Sequence, residues 1–172
     1  MDKRLFSIID IETTGGNPKS DKIIEIAIVV TDGDRIIKQY SSLVYPERRV
    51  MPFITGLTGI TNEMLEDAPK FYEIAGEIVE ITKDTIFIAH NVSFDWSFLS
   101  RAFYTTGVEN KMFYAKLDTI SFAFAKFFND KEITKFNLGF LCEHYGIENN
   151  NAHTALSDAR ATYSLYRKMT EQ

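Results

Sequence analysis

An apolar run from Leu5 to Ile11, which reads as a β-strand, carries Asp10 near its end and is followed by Glu12. Side chains alternate faces along a strand, so Asp10 and Glu12 point the same way, about 6.5–7 Å apart along the chain. Two carboxylates on one face repel each other and are costly to desolvate. Either the strand has ended there and both face water, or a cation sits between them. Thr13-Thr14-Gly15-Gly16 follows at once, a small, donor-rich turn whose backbone amides can approach a ligand closely.

Two further groups of residues bear on that choice. His90-Asn91-Val92-Ser93-Phe94-Asp95 follows the apolar segment Thr85–Ala89. Asp95 falls in the first turn of a helix, where the helix dipole favours a carboxylate, and that is a sufficient structural reason for it. The functional alternative needs Asp95 to project back over the strand ends. In His153-Thr154-Ala155-Leu156-Ser157-Asp158-Ala159, Asp158 lies on or beside the apolar stripe of the last helix, between two small residues. A carboxylate there is costly without a partner, and a metal is the obvious one. His153 precedes the helix and can swing toward Asp158, or it is a surface loop histidine. His90 and His144 read as a junction residue and a polar residue on an amphipathic helix.

Taken together, Asp10, Glu12, Asp95 and Asp158 form an all-oxygen set that suits Mg²⁺ or Mn²⁺ better than zinc. Two such ions about 3.5–4 Å apart can clamp the attacking and leaving oxygens of an in-line phosphodiester displacement. A neutral His153 nearby can take the proton from the attacking water.

These residues need elements to bring them together. Residues 5–11 form a strand that is apolar on both faces, hence central in its sheet. Residues 23–31 form a second, and Asp32-Gly33 turns the chain into a third at 35–45. Pro46 and Pro52 bracket a loop. Thr61 or Asn62 can cap a short helix with Glu63 in its first turn, and Pro69 opens a longer one. That longer helix carries a stripe of Phe71, Ile74, Ala75, Ile78, Val79 and Ile81. A short buried strand at 85–89 precedes a helix at 93–104, with Ser93 as its expected cap. A short strand near Phe113–Leu117 follows, then helices at 119–128 and 137–145, the latter stopped by Gly146. The last helix, 154–169, has Ala155, Ala159, Thr162, Tyr166 and Met169 on one stripe. The expectation is an α/β chain with a mixed five-stranded sheet, its first three strands antiparallel, and helices on both faces. Sites in such sheets collect at strand ends.

Composition narrows the classes. No repeat, low-complexity segment or linker divides the 172 residues, which fit a single domain over 1–172. With 45% hydrophobic and 25% charged residues the chain is too apolar for disorder, and 14 phenylalanines imply an aromatic-rich core. No apolar run approaches the roughly 20 residues that span a bilayer, and no signal-peptide core develops at the start. The single cysteine, Cys142, excludes an internal disulfide and a cysteine-built zinc site, so a cytoplasmic location without membrane association is expected. A net charge of −5 counts against a sequence-independent duplex binder, but less against a nuclease whose carboxylates meet phosphate through cations.

The ordered motifs Asp10-Ile-Glu12-Thr-Thr-Gly, His90-Asn-x-x-Phe-Asp95 and His153-x-x-x-x-Asp158-Ala resemble those of the DEDDh, or DnaQ-like, 3′→5′ exonucleases. Leu57-Thr-Gly-Ile-Thr61, Leu117-Asp-Thr119 and Asn137-Leu-x-x-Leu141 are similar to the segments between them, so the resemblance covers nearly the whole chain. It is similar to the proofreading exonuclease subunit or domain of bacterial DNA polymerase III. The resemblance implies an RNase H-like fold and release of nucleoside 5′-monophosphates from single-stranded 3′ ends, of DNA more readily than RNA. It implies two Mg²⁺ or Mn²⁺ ions on Asp10, Glu12 and Asp158, with Asp95 acting on the second through water and His153 as general base. Thr13, Thr14, Leu57, Asn91 and Phe94 would contact the substrate, and a DNA polymerase subunit is an expected partner. Two departures stand out. Thr154 occupies a position where many members carry Arg, and the segment around Thr58 lacks a His that some proofreading members have. Few residues follow Asp158, which favours a stand-alone enzyme or a subunit recruited through its surface. The competing readings are a catalytically silent module that binds nucleic acid or a polymerase, and an RNA-processing exoribonuclease.

Overall fold

The β-branched run Phe6–Thr13 forms β1, the central strand of a five-stranded mixed sheet in a computed structural model that describes residues 4–149 and 154–171. β2 (Ile23–Thr31) pairs antiparallel with β1, and β3 (Ile36–Leu43) antiparallel with β2. On the other side β4 (Ile86–Ala89) runs parallel to β1 and β5 (Lys116–Asp118) parallel to β4, giving the order β3-β2-β1-β4-β5. The expected sheet and its antiparallel first three strands are present; β5 starts later than the Phe113–Leu117 expectation.

Alternation along the strands divides the core between the two faces. Ile9, Ile11, Ile26, Ile28 and Phe87 face α3 (Phe71–Thr82) and α4 (Val92–Thr106). Ile8, Ala27, Val29 and Ile88 face α7 (Ala155–Thr170), whose small residues Ala155 and Ala159 let the helix lie close on the sheet. Beside α7 pack α5 (Thr119–Lys126) and α6 (Leu138–Tyr145), around Ala123, Leu141 and Leu165. Among the described residues no helix is long and apolar enough to cross a membrane.

Two details differ from the sequence reading. After the Pro46–Pro52 loop the chain forms α1 (Pro52–Thr58) before the expected short helix α2 (Asn62–Leu65). α1 escapes a pattern search because it has Gly56 inside it and leaves Phe53 and Leu57 exposed, so no apolar stripe marks it. Ser93 is not a cap. The N-cap of α4 is Asn91, in the left-handed conformation (φ 74°), and Ser93 is the second residue of the helix, donating its hydroxyl to Asn91 Oδ1 at 2.9 Å.

The strand lengths create the site. Pairing of β1 with β4 stops at Ile8–Ile88, yet β1 continues beside β2 as far as Thr13. Beyond the end of β4, one edge of β1 is therefore open, and that open segment holds Asp10 and Glu12.

Candidate active site

Asp10 and Glu12 share the face of Ile8, the face covered by α7, as strand alternation requires. Asp158 lies in the first turn of α7. One carboxylate oxygen from each of Asp10, Glu12 and Asp158 falls within 4.8 Å of the others, a separation that a single cation can span. Asn149, just before α7, donates its amide to Asp158 Oδ1 at 2.7 Å and accepts the Ser157 hydroxyl at 2.7 Å, which fixes the orientation of the carboxylate.

Asp95 arrives from the opposite face. α4 packs on the α3 side of the sheet, and its first turn reaches the edge of β1 that β4 has vacated. There the buried Asp95 carboxylate accepts the backbone amide of Ile11 as well as its own. The junction that delivers it is held by Asp118, at the end of β5, which accepts the Asn91 amide at 3.1 Å and caps α5 through Ile120 N–H. His90 bonds the Thr119 hydroxyl through Nδ1 at 2.8 Å, so it serves the junction, as expected for a junction residue.

The electrostatics fit an unmet need for positive charge. Burial, and then Asp95, Asp158, Glu12 and Glu25, push Asp10 well above the usual carboxylate range. Burial raises Glu12 to about 8, with Asp158 and Glu25 adding to it. Burial also raises Asp95 to about 8, against the opposing pull of its two amide hydrogen bonds. Protonation relieves such repulsion in the bare protein; a divalent cation relieves it without a proton. The donor set, all carboxylate oxygen, fits a hard divalent ion.

Next to the cluster is a cavity of about 620 Å³. Thr13, Thr14, Leu57 and Phe94 all line it, together with Glu12 and Phe53. Thr14 braces the turn: its amide is bonded to Lys22 O and its hydroxyl accepts Lys22 N–H. Asn91 stands apart from this cavity, at the α4 junction. His153 lies outside the described residues.

The family model for exonucleases, RNase_T, matches residues 7–166, which spans every one of these elements from β1 into α7. The chain belongs to this exonuclease family. Among its relatives is a protein named 3′-5′ exonuclease DinG from Staphylococcus epidermidis, 37% identical over 167 residues. The alignment covers 97% of this chain and 18% of that protein. A DinG of Staphylococcus haemolyticus is 37% identical over 95% of this chain, again over 18% of its own length. The chain thus spans about a fifth of these relatives. In fold it is similar to E. coli exonuclease I in complex with a dT13 oligonucleotide, with a TM-score of 0.82 at 21% identity over 96% of this chain and 40% of that one. It is equally similar to the nuclease domain of 3'hExo, a DEDDh family member bound to rAMP. There the TM-score is 0.81 at 19% identity, over 97% of this chain and 92% of that one.

Within this exonuclease fold, some residues of the site have no sequence signal of their own. Glu25 of β2 lies directly across from Glu12 and is a fifth carboxylate at the cluster. It sits in the apolar run Ile23–Thr31, where its position on the Glu12 face was visible only once the register was known. Asn149 belongs to a polar loop with no pattern. Phe53, 79% exposed at the cavity rim, comes from the unforeseen α1. Asp118 lies in the Leu117-Asp-Thr119 segment, which did mark the region.

Proposed function

We propose that this chain is a single exonuclease domain that removes nucleotides one at a time from the 3′ end of single-stranded DNA, releasing nucleoside 5′-monophosphates. The observation that carries this reading is the convergence of Asp10, Glu12 and Asp158 within 4.8 Å, at the end of a central strand and beside an open cavity. Carboxylates held together against their mutual repulsion imply a cation, and a cation beside a cavity rimmed by apolar groups suits a phosphodiester flanked by a base. The family, the named 3′-5′ exonuclease relatives and the fold shared with an oligonucleotide-bound exonuclease I point the same way.

Two Mg²⁺ or Mn²⁺ ions, when bound, supply the positive charge that stabilises the attacking and leaving oxygens. Asp10, Glu12 and Asp158 would hold them, and Asp95 would assist at the second. Asn149 and the Ile11 amide keep the Asp158 and Asp95 carboxylates aimed. His153, on the segment entering α7, would accept the proton of the attacking water. Leu57 and Phe94, which both line the cavity, would hold the terminal base, and Thr13 and Thr14 its sugar and phosphate. Asn91 acts at one remove, by setting the angle of α4.

The test uses a 5′-labelled single strand with its 3′ end either free or blocked. Stepwise shortening that needs divalent metal, stops with chelator and is prevented by the 3′ block supports the reading. Internal cuts that survive the block would assign an RNase H-like endonuclease instead. A matched RNA strand in the same assay reads the sugar preference.

A further inference from the structure

We propose that the groove between the β1–β2 turn and α4 is the track for the upstream part of the single strand, with Lys19 and Arg101 on its phosphates and Tyr104 beneath a base. This rests on the exonuclease reading above and extends it from the terminal nucleotide to the nucleotides behind it.

The groove is built on the same two elements as the active-site cavity. That cavity runs between the Thr13–Gly16 turn and Phe94. A second cavity, about 470 Å³, is lined by Pro18 and Lys19 on the same turn and by Ser97, Ser100, Arg101 and Tyr104 on the same helix. Phe94, Ser97, Arg101 and Tyr104 recur at helical spacing, so they form one stripe along α4. From Phe94 to Tyr104 the stripe is about 15 Å long, at 1.5 Å per residue. That is room for about four stacked nucleotide steps at 3.4 Å each.

Its chemistry is complementary to nucleic acid. Tyr104 is 79% exposed, and the Arg101 guanidinium lies 5.8 Å from its ring centroid, so a flat apolar face and a cation are offered side by side. Among the described residues neither Lys19 nor Arg101 has an ion-pair partner. The two acids that line a pocket with Lys19 and Arg101 have other partners: Asp21 accepts the Asn17 amide at 2.9 Å and meets Arg48, and Glu47 pairs with Lys70 at 2.7 Å. A chain of net charge −5 therefore presents free positive charge along this groove. A lone exposed tyrosine or lysine would be ordinary surface. A cation on each bank and an aromatic platform, on the same turn and helix that wall the active-site cavity, are the components with which proteins hold single strands.

The experiment compares wild type with Lys19→Gln, Arg101→Gln, their double variant, Tyr104→Ala and Tyr104→Phe. Substrates are oligothymidylates from two to about twelve nucleotides long, together with the p-nitrophenyl ester of thymidine 5′-monophosphate, which has no upstream strand. The expected result is that Tyr104→Ala and the double variant each raise KM for long strands about tenfold, with kcat and ester hydrolysis unchanged. Tyr104→Phe should behave as wild type. The double variant should also flatten the dependence of log(kcat/KM) on log salt by about 1.4, at about 0.7 per phosphate contact on a single strand. Long strands retaining their advantage and their salt slope in the variants would overturn the inference while leaving the exonuclease reading intact. Failure of wild type to hydrolyse either the ester or any strand would overturn both.

Discussion

The carboxylate of Glu25, on β2, accepts the backbone N–H of Ala155 at 3.0 Å, a bond between residues 130 apart in the chain. Ala155 opens α7, where the first amides have no partner within the helix. Glu25 thus caps the helix from across the sheet and sets a carboxylate at its positive end. The helix that carries Asp158 is thereby anchored to the strand that pairs with Glu12. Glu25→Ala should lose a cap's worth of stability, about 1 kcal/mol, and lower activity by loosening the position of Asp158. Glu25→Gln keeps an acceptor and removes a charge that raises Glu12, so it should retain most activity and bind Mn²⁺ at lower pH. Equal activity of the alanine variant and wild type would show that the bond does not position α7.

The raised carboxylates make a prediction about pH. Glu12 stands at about 8 against an ordinary 4.5, and Asp95 at about 8 against 3.8. Each binds its proton more tightly in the folded state, so between about pH 4.5 and 8 the folded, metal-free protein holds more protons than the unfolded one. Their contribution to stability is present in full below that window and is lost as pH rises through it. Melting temperature in chelator should therefore fall from about pH 5 to 8 relative to Glu12→Gln and Asp95→Asn, which lack the groups concerned. The gain on adding Mn²⁺ should grow over the same range, because the ion must displace protons. A metal-induced gain that is the same at every pH would contradict the assigned protonation.

Gly15 is required by close approach. A Cβ there would lie 2.6 Å from Asp21 Oδ2 and 2.8 Å from its carboxyl carbon. Asp21 cannot move without breaking its bond to the Asn17 amide, which shapes the turn at the head of the proposed track. Gly15→Ala should cost about 1–3 kcal/mol and raise KM for single strands. Combining it with Asp21→Ala should recover part of the loss by removing the clash, and a double-mutant cycle measures how much. Strict additivity of the two changes would refute the clash.

At the cavity rim, Phe53 and Leu57 are 79% and 47% exposed, so neither supports the core. Leu57→Ala should leave melting within about 0.5 kcal/mol of wild type, as a surface change does. It should raise KM for DNA severalfold, because the wall that meets the terminal base is shortened. A stability loss in place of a KM change would make Leu57 a packing residue.

Much of the fold was legible because its elements are locally consistent. β1 buries apolar residues on both faces, Ile8 on one and Ile9 and Ile11 on the other, as a central strand does, and α7 turns the small residues Ala155 and Ala159 toward the sheet. Asp10 and Glu12 could be placed on one face by period alone, and Asp158 beside a stripe. Other features depend on register and reach. Glu25 opposite Glu12, Asp95 on the Ile11 amide and Asn149 on Asp158 are side chains satisfied by partners far along the chain or across a junction. Local pattern favoured a water-facing strand end and a helix-dipole carboxylate just as well. α1 was hidden because its apolar residues face the cavity, and a helix that serves a site rather than a core has no burial stripe to read. The groove of Lys19 and Arg101 was hidden by an acidic total charge that averages over both banks.

The account stands most directly on the carboxylates holding the ions that drive hydrolysis. The measurement is the rate of 5′-mononucleotide release from a single-stranded oligodeoxynucleotide, as Mn²⁺ is titrated into chelated wild type and the Asp10→Ala variant. Wild type should rise from background to a plateau, and Asp10→Ala should stay at least about a thousandfold lower at every metal concentration, the loss of several kcal/mol of transition-state stabilisation. Release that is independent of metal, or an Asp10→Ala variant that reaches the wild-type plateau, would contradict it.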